Sequence, residues 1–206
     1  MPQIQPTLVK AKLKTVRPTQ MTAGFGQIDQ KVKKFKKMSA SQLERRLDKL
    51  FAPGVVGPGG ELYLIDHHHE AIAALRVGAK EIYLGVVADL SGFKERDFWI
   101  YLDHRTWVHC YDIDGDRHPF SEMPRRLGKI RDDPYRTLAA NVRSEGGFAK
   151  SDLPFLEFLW ANYFRNNIAK SLVDKNPEEA LKLALALSKS RKAECLPGFA
   201  AKPRGA

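Results

Sequence analysis

Apolar and basic residues alternate over Leu8-Val9-Lys10-Ala11-Lys12-Leu13-Lys14-Thr15-Val16, which predicts a short strand with one face in water. Pro18 and the pair Gly24/Gly26 then break the chain. The apolar positions Ile28, Val32, Phe35, Leu43, Leu47 and Leu50 predict two amphipathic helices split near Ser39-Ala40-Ser41, with a serine as cap of the second. Pro53-Gly54-Val55-Val56-Gly57-Pro58-Gly59-Gly60 reads as a turn-rich connector. It feeds a strand at 61–66, a helix at 68–77 and a stop at Gly78. Glu81 to Leu90 is apolar at nearly every position and predicts a central strand.

The pattern then changes. Lys94 to Trp107 predicts a helix carrying Phe98, Leu102 and Trp107, and Val108 to Ile113 a strand closed by the turn Asp114-Gly115. From Phe120 onward the periodicity is helical, at 121–129, 133–145, 154–167 and 177–189. Asp133-Pro134 and Asp152-Leu153-Pro154 place a cap and a first-turn proline at two of these starts. The expected fold class is α+β: a small mixed sheet with helices over 8–118, and a helical C-terminal part, 119–199, packed on it.

Composition narrows the function classes. The chain has 206 residues, enough for one substantial core, and a formal net charge of +10. That excess favours phosphorylated or polyanionic partners. Much of it lies in Lys31-Val32-Lys33-Lys34-Phe35-Lys36-Lys37 and in Lys189, Arg191, Lys192, Lys202 and Arg204, where a solvated surface explains it as well. No apolar run approaches the ~20 residues of a membrane span. The opening Met1-Pro2-Gln3-Ile4-Gln5-Pro6 has no apolar signal region, which predicts a cytoplasmic protein. Cys110 and Cys195 stand far apart with no CxxC partner, which argues against a disulfide framework or a zinc ribbon.

The chemistry concentrates at Ile65-Asp66-His67-His68-His69-Glu70, where a strand hands an acid and three histidines to the first turn of a helix. Unpaired amides and the positive end of the helix dipole favour a phosphate there. Successive side chains on a helix diverge by about 100°, so the three imidazoles cannot meet on one metal ion. A histidine near its ordinary pKa also serves as acid or base. The Asp-His-His phosphoesterases need aspartates on earlier strands. The only acids upstream of Glu61 are Asp29, Glu44 and Asp48, in predicted helix or turn, which excludes that family.

The block Asp66-His67-His68-His69, with its apolar helix, Gly and strand, resembles the Asp-Gly-His-His-Arg box of the ParB/sulfiredoxin superfamily, and Val16-Arg17-Pro18-Thr19-Gln20 resembles its opening strand and turn. Three further segments, Asp132-Asp133-Pro134-Tyr135-Arg136-Thr137-Leu138-Ala139, Gly146-Gly147-Phe148-Ala149-Lys150 and Pro154-Phe155-Leu156-Glu157-Phe158-Leu159-Trp160-Ala161, resemble a small bacterial subfamily of ParB-like nucleases. The likeness covers residues 8–199. In the superfamily this box holds nucleotide phosphates; its members include CTP-hydrolysing partition proteins, ATP-using sulfiredoxins and a free-serine kinase. The resemblance implies a catalytic Asp66 and His68, and phosphate binding by His68 and His69; the residues themselves add His67, Arg17, Gln20 and Arg136 as candidates for phosphate binding. It implies ATP or CTP with Mg²⁺ as cofactor and no metal held by the protein alone. His67 replaces the box glycine, and Glu70 stands at the box arginine. Arg17, Lys10, Lys12 and Lys14 are the local cations that could take over from that arginine.

Other constellations add less. Asp112-x-Asp114-x-Asp116 mimics a calcium loop but has Arg117 at the glycine position and Met123 at the position of the closing Glu, so it reads as a turn. Arg136, Arg143 and Lys150 are candidates to complete a phosphate pocket, or are paired surface charge. Arg125-Arg126-x-x-Lys129-x-Arg131 is a basic patch without a helix-turn-helix beside it. Two readings stay open. One is a phosphotransferase or NTP hydrolase that binds nucleotide phosphates at the strand–helix junction. The other is a ParB-like nuclease or a non-catalytic module associated with nucleic acid.

Overall fold

The computed structural model describes residues 6–200. The opening five residues, and with them the expectation about a signal region, lie outside these, as do Lys202 and Arg204. The described chain is a mixed α+β protein with a small mixed sheet and eight α-helices. No helix among the described residues is long and apolar enough to cross a membrane. The described chain divides into two compact units, one built on residues 6–23, 27–112 and 116–131, the other on 24–26, 113–115 and 132–200.

The first unit holds strands β1 (Thr7–Lys12), β2 (Arg17–Pro18), β3 (Thr22–Ala23), β4 (Ala52–Val56), β5 (Leu62–Leu64) and β6 (Glu81–Asp89). The main sheet runs β1-β6-β4-β5-β2. β1 is antiparallel to β6, β4 parallel to β6, β5 antiparallel to β4 and β2 parallel to β5. Helices α1 (Phe25–Lys36), α2 (Ala40–Asp48), α3 (His68–Arg76) and α4 (Glu95–His104) accompany it. Ser39 closes a capping box with Gln42, as its place at the split between the two early helices anticipates. β6 is central and buries Ile82, Leu84 and Val86, matching its unbroken apolar run. On the side of α4, Val55, Tyr63, Phe98, Trp99 and Leu102 form one apolar cluster.

Several expectations need correction. The stretch at 53–60 is not a connector: its first half is β4, in the middle of the sheet. Pro53 is tolerated because its carbonyl already accepts from Ile65 N–H (3.0 Å), so the missing N–H faces the chain just beyond the end of β5. Gly54 is required because β5 comes so close that a Cβ there would stand 2.8 Å from the Tyr63 carbonyl oxygen. The predicted strand at 108–113 shrinks to single bridges, Gln20 with His109 and Tyr111 with Arg117. The helix expected at 121–129 is two single 3₁₀ turns, 120–122 and 127–129, because Pro124 interrupts it. The first strand ends at Lys12, four residues early.

The second unit is helical: α5 (Pro134–Ser144), α6 (Leu156–Asn167), α7 (Lys170–Lys175) and α8 (Pro177–Ser188). Short α7 was not anticipated. Asp133 caps α5 by accepting from Tyr135 and Arg136 N–H, and Arg165 Nη2 donates to its other oxygen (2.7 Å). Burial pushes the Asp133 carboxyl above its usual range although Arg165 pulls the other way. Trp160, fully buried, stacks on Phe148 with centroids 4.3 Å apart at the centre of this core.

The close approach at Gly54 sets a test. Gly54→Ala must push β4 off β5 and is expected to cost about 3 kcal/mol in a urea-unfolding measurement. A loss under 0.5 kcal/mol would mean that the strands have slack there.

Candidate functional site

β5 delivers Leu64 and Ile65 into the core, and the chain then turns outward at Asp66. The turn is made by His67, whose φ of 63° and ψ of 24° are left-handed. That conformation suits glycine and costs an ordinary residue roughly 1–2 kcal/mol. The position that resembles the box glycine thus holds the backbone conformation that glycine adopts most easily, although the residue here is a histidine. Asp66 Oδ1 accepts from His67 N–H at 2.6 Å, so the exposed acid braces the turn and is not a conventional cap of α3. The α3 start carries no side-chain cap, and its first helical bond closes from Ala71 N–H to the His67 carbonyl. A first turn of this kind has amide donors without carbonyl partners inside the helix.

His68 is turned inward, 1% exposed. Its Nε2 accepts from Thr19 N–H (3.2 Å), and the Thr19 hydroxyl donates to the Leu64 carbonyl (3.0 Å). Burial, seconded by His67, pushes its pKa down to about 3, with only the Leu64 carbonyl opposing. His68 is therefore neutral at physiological pH, and its ring ties the helix start to the segment after β2. Around that anchor Thr19, Gln20, Thr22 and His109 are also buried. His109 N–H donates to the Thr19 carbonyl and Met21 N–H to the His109 carbonyl, while Arg131 N–H donates to the Met21 carbonyl. Gln20 Oε1 and the Thr22 hydroxyl find no hydrogen-bond partner among the described residues.

The cations proposed from sequence are distributed differently. Arg17 is held by Glu61 and by Tyr63, donating to its hydroxyl at 2.9 Å and lying 5.1 Å over its ring. Burial pushes the Tyr63 phenol up to about 12, against the pull of Arg17. Lys10 and Lys12 lie on the edge strand, and Lys10 pairs with Glu81 (3.2 Å). Arg136 lies in the second unit, near-buried, 3.5 Å from Glu157 and 5.1 Å over the Phe158 ring, and Arg143 shares the same Glu157. Arg125, Arg126 and Lys129 are exposed. Among the described residues no group of three His, Cys, Asp or Glu could hold a metal ion.

Sequence reasoning missed one cation. Lys31, on α1, is ion-paired with Glu70 in the first turn of α3. The acid that replaces the box arginine thus holds a lysine at the helix start. Its sequence setting, a run of solvated lysines, hides this role, which appears only when α1 lies beside α3. Thr19 was hidden in the same way, since it acts through its backbone.

Comparison with known proteins follows from this geometry. The family model described as "Putative ParB-like nuclease" matches residues 9–166. The crystal structure of protein Atu1540 from Agrobacterium tumefaciens is 34% identical, aligns over 97% of this chain and 100% of its own, and superposes with a TM-score of 0.90. No curated protein matches.

Two outcomes test the junction. His67→Gly is expected to stabilise the fold by about 1 kcal/mol, read as a raised melting temperature, because it removes left-handed strain. For His68 the folded pKa lies below the unfolded one. Its contribution is complete above pH 6.5 and is lost as pH falls toward 3, by about 1.4 kcal/mol per pH unit. His68→Gln should therefore be less stable at pH 7, yet show a shallower fall of unfolding free energy between pH 6 and pH 4. Equal slopes in the two proteins would place the ring outside the buried anchor.

Proposed function

This chain belongs to the ParB-like nuclease family, and on that footing we propose that the junction Asp66–His69 binds the phosphate groups of a nucleotide, ATP or CTP with Mg²⁺, for phosphoryl transfer or hydrolysis. One observation carries the reading: an uncapped helix start set behind a left-handed turn, with an exposed carboxylate before it and a lysine brought to its first turn. Phosphate oxygens match the first-turn amides and the dipole, and His67 and His69 flank them.

The residues take distinct roles. Asp66 accepts the proton of the attacking hydroxyl or water as the bond from phosphorus to the leaving nucleotide oxygen breaks, or it bears on the Mg²⁺ that travels with the phosphates. Neutral His68 is a positioning residue, since its ring fixes the first turn against Thr19. Gln20, next to Thr19 in the chain, holds a buried unpartnered acceptor, and meets a hydroxyl of the acceptor substrate only if that segment opens. Lys31 brings an ammonium group to the first turn, where Glu70 holds it, and serves the ligand only if that pair opens. Arg17 keeps its carboxylate partner in this scheme, and serves the ligand only if that pair opens.

A second reading, cleavage of nucleic acid at the same junction, is favoured by the family itself. Charge favours it too: residues 10–49 carry twelve Lys or Arg against three Asp or Glu. Turnover assays with ATP, CTP and DNA separate the two.

In NMR titrations with MgATP and MgCTP, the amides of His68, His69 and Glu70 are expected to shift. Asp66→Asn, which keeps an acceptor for His67 N–H, should retain nucleotide affinity within about three-fold and lose at least 10²-fold in turnover. Unmoved first-turn amides would overturn the reading. Full turnover by Asp66→Asn would remove Asp66 from the chemistry.

A further inference from the structure

The acidic turn that mimics the start of a calcium loop has a partner that its spacing does not show. Asp112 N–H donates to the Asp116 carbonyl, and Asp112 Oδ1 accepts from Asp116 N–H at 3.0 Å. Tyr111 bridges to Arg117, and His118 N–H donates to the Cys110 carbonyl (2.8 Å), so the chain closes as a hairpin. The hairpin sets the His118 ring between two carboxylates. Nε2 lies 3.0 Å from Asp112 Oδ2, and Nδ1 lies 2.8 Å from Oε2 of Glu122, on the 3₁₀ turn 120–122.

A neutral imidazole has one N–H and one bare lone pair, which here would face a carboxylate oxygen. Only the imidazolium donates to both acids. Hydrogen bonds to Glu122 and Asp112 hold the His118 pKa above its ordinary value, against the desolvation of the ring. Among the described residues Glu122 and Asp112 are the charged groups that act on it; neighbouring Arg117 turns to Asp103 and to the Phe120 ring. When the proton leaves, the two acids fare differently. The Asp112 side chain is 11% exposed, keeps Asp116 N–H, and has Arg131 3.8 Å from the same oxygen. Glu122 is 55% exposed and has no second side-chain partner among the described residues, so repulsion sends it into water.

The hairpin adjoins the anchor of the junction. Cys110, which holds His118, follows His109, whose N–H donates to the Thr19 carbonyl, and Thr19 N–H donates to His68. We propose that His118 is a pH-operated clasp: charged, it ties the hairpin to the turn 120–122 and steadies the His109–Thr19 pairing; discharged, it frees Glu122 and loosens both. With the folded pKa raised, the hold is complete below pH 6.5 and is lost as pH rises through the folded value. The clasp depends on the fold of the first unit and works whatever the junction binds.

Proton–nitrogen correlation spectra of the histidine rings between about pH 5 and pH 9 test this, the His118 signals being those that His118→Gln removes. At pH 6.5, where an unperturbed imidazole is half discharged, most His118 rings are expected to carry both protons, and the midpoint to lie higher. The amide signals of Cys110, His109 and Thr19 should move with that midpoint and lose the transition in His118→Gln. Glu122→Gln keeps an acceptor without the charge; being exposed, it should melt as wild type and bring the midpoint down toward 6.5. The proposal fails if His118 titrates at or below 6.5, or if Glu122→Gln leaves its midpoint unmoved. An amide transition that persists in His118→Gln belongs to another histidine and overturns it. Thr19 and His109 amides that stay flat across the midpoint overturn it equally, since the clasp would then end at the hairpin.

Discussion

The bond from Thr19 N–H to His68 Nε2 joins two parts of the chain that neither strand pairing nor helix periodicity would hold together. β2 contributes only two residues to the sheet, so the chain after it needs another anchor. The imidazole supplies it from the first turn of α3, and the Thr19 hydroxyl returns to the Leu64 carbonyl. A lysine or arginine could not do this, having no acceptor, and an aliphatic side chain would orphan a buried amide at a cost of about 1–3 kcal/mol. Because the ring is fully enclosed, it must be neutral to serve. The helix start, the turn at His67 and the position of Asp66 all follow from that inward-facing ring.

Three adjacent histidines therefore have three different jobs. His67 takes the left-handed backbone, His68 is spent on the fold, and His69 remains on the half-buried side of the first turn. Their order in the sequence announced a junction, and the superfamily box named its place, but neither showed which ring turns inward. That depends on Thr19, forty-nine residues away. The same holds for Lys31, whose neighbours in sequence are solvated and whose partner is Glu70.

Elements with a strong local signal were legible: a serine cap at the Ser39-Ala40-Ser41 split, the interior strand β6, and the helices opening at Pro134 and Pro177. What was not legible was the strand whose composition argues against being one. Pro53 and Gly54 spell a turn to any local rule. They are tolerated because the proline lies opposite the end of β5 and because β5 approaches the glycine too closely for a side chain. Both reasons belong to a neighbour, so no reading of residues 52–56 alone could supply them. The split of 120–129 into two short turns was legible in principle, since Pro124 stands in the middle of the expected helix.

The order of the strands also has a consequence for synthesis. β1 closes one edge of the sheet, yet among the described residues its strand partner is β6, about seventy residues or more further along. A chain emerging from the ribosome at about 5–20 residues per second leaves β1 unpaired for several seconds. An extended segment with open hydrogen bonds is in that interval a template for another nascent copy. Lys10, Lys12 and Lys14 repel such a copy and keep the segment in water until Glu81–Asp89 arrives. The lysines on that edge thus guard the protein before it has folded.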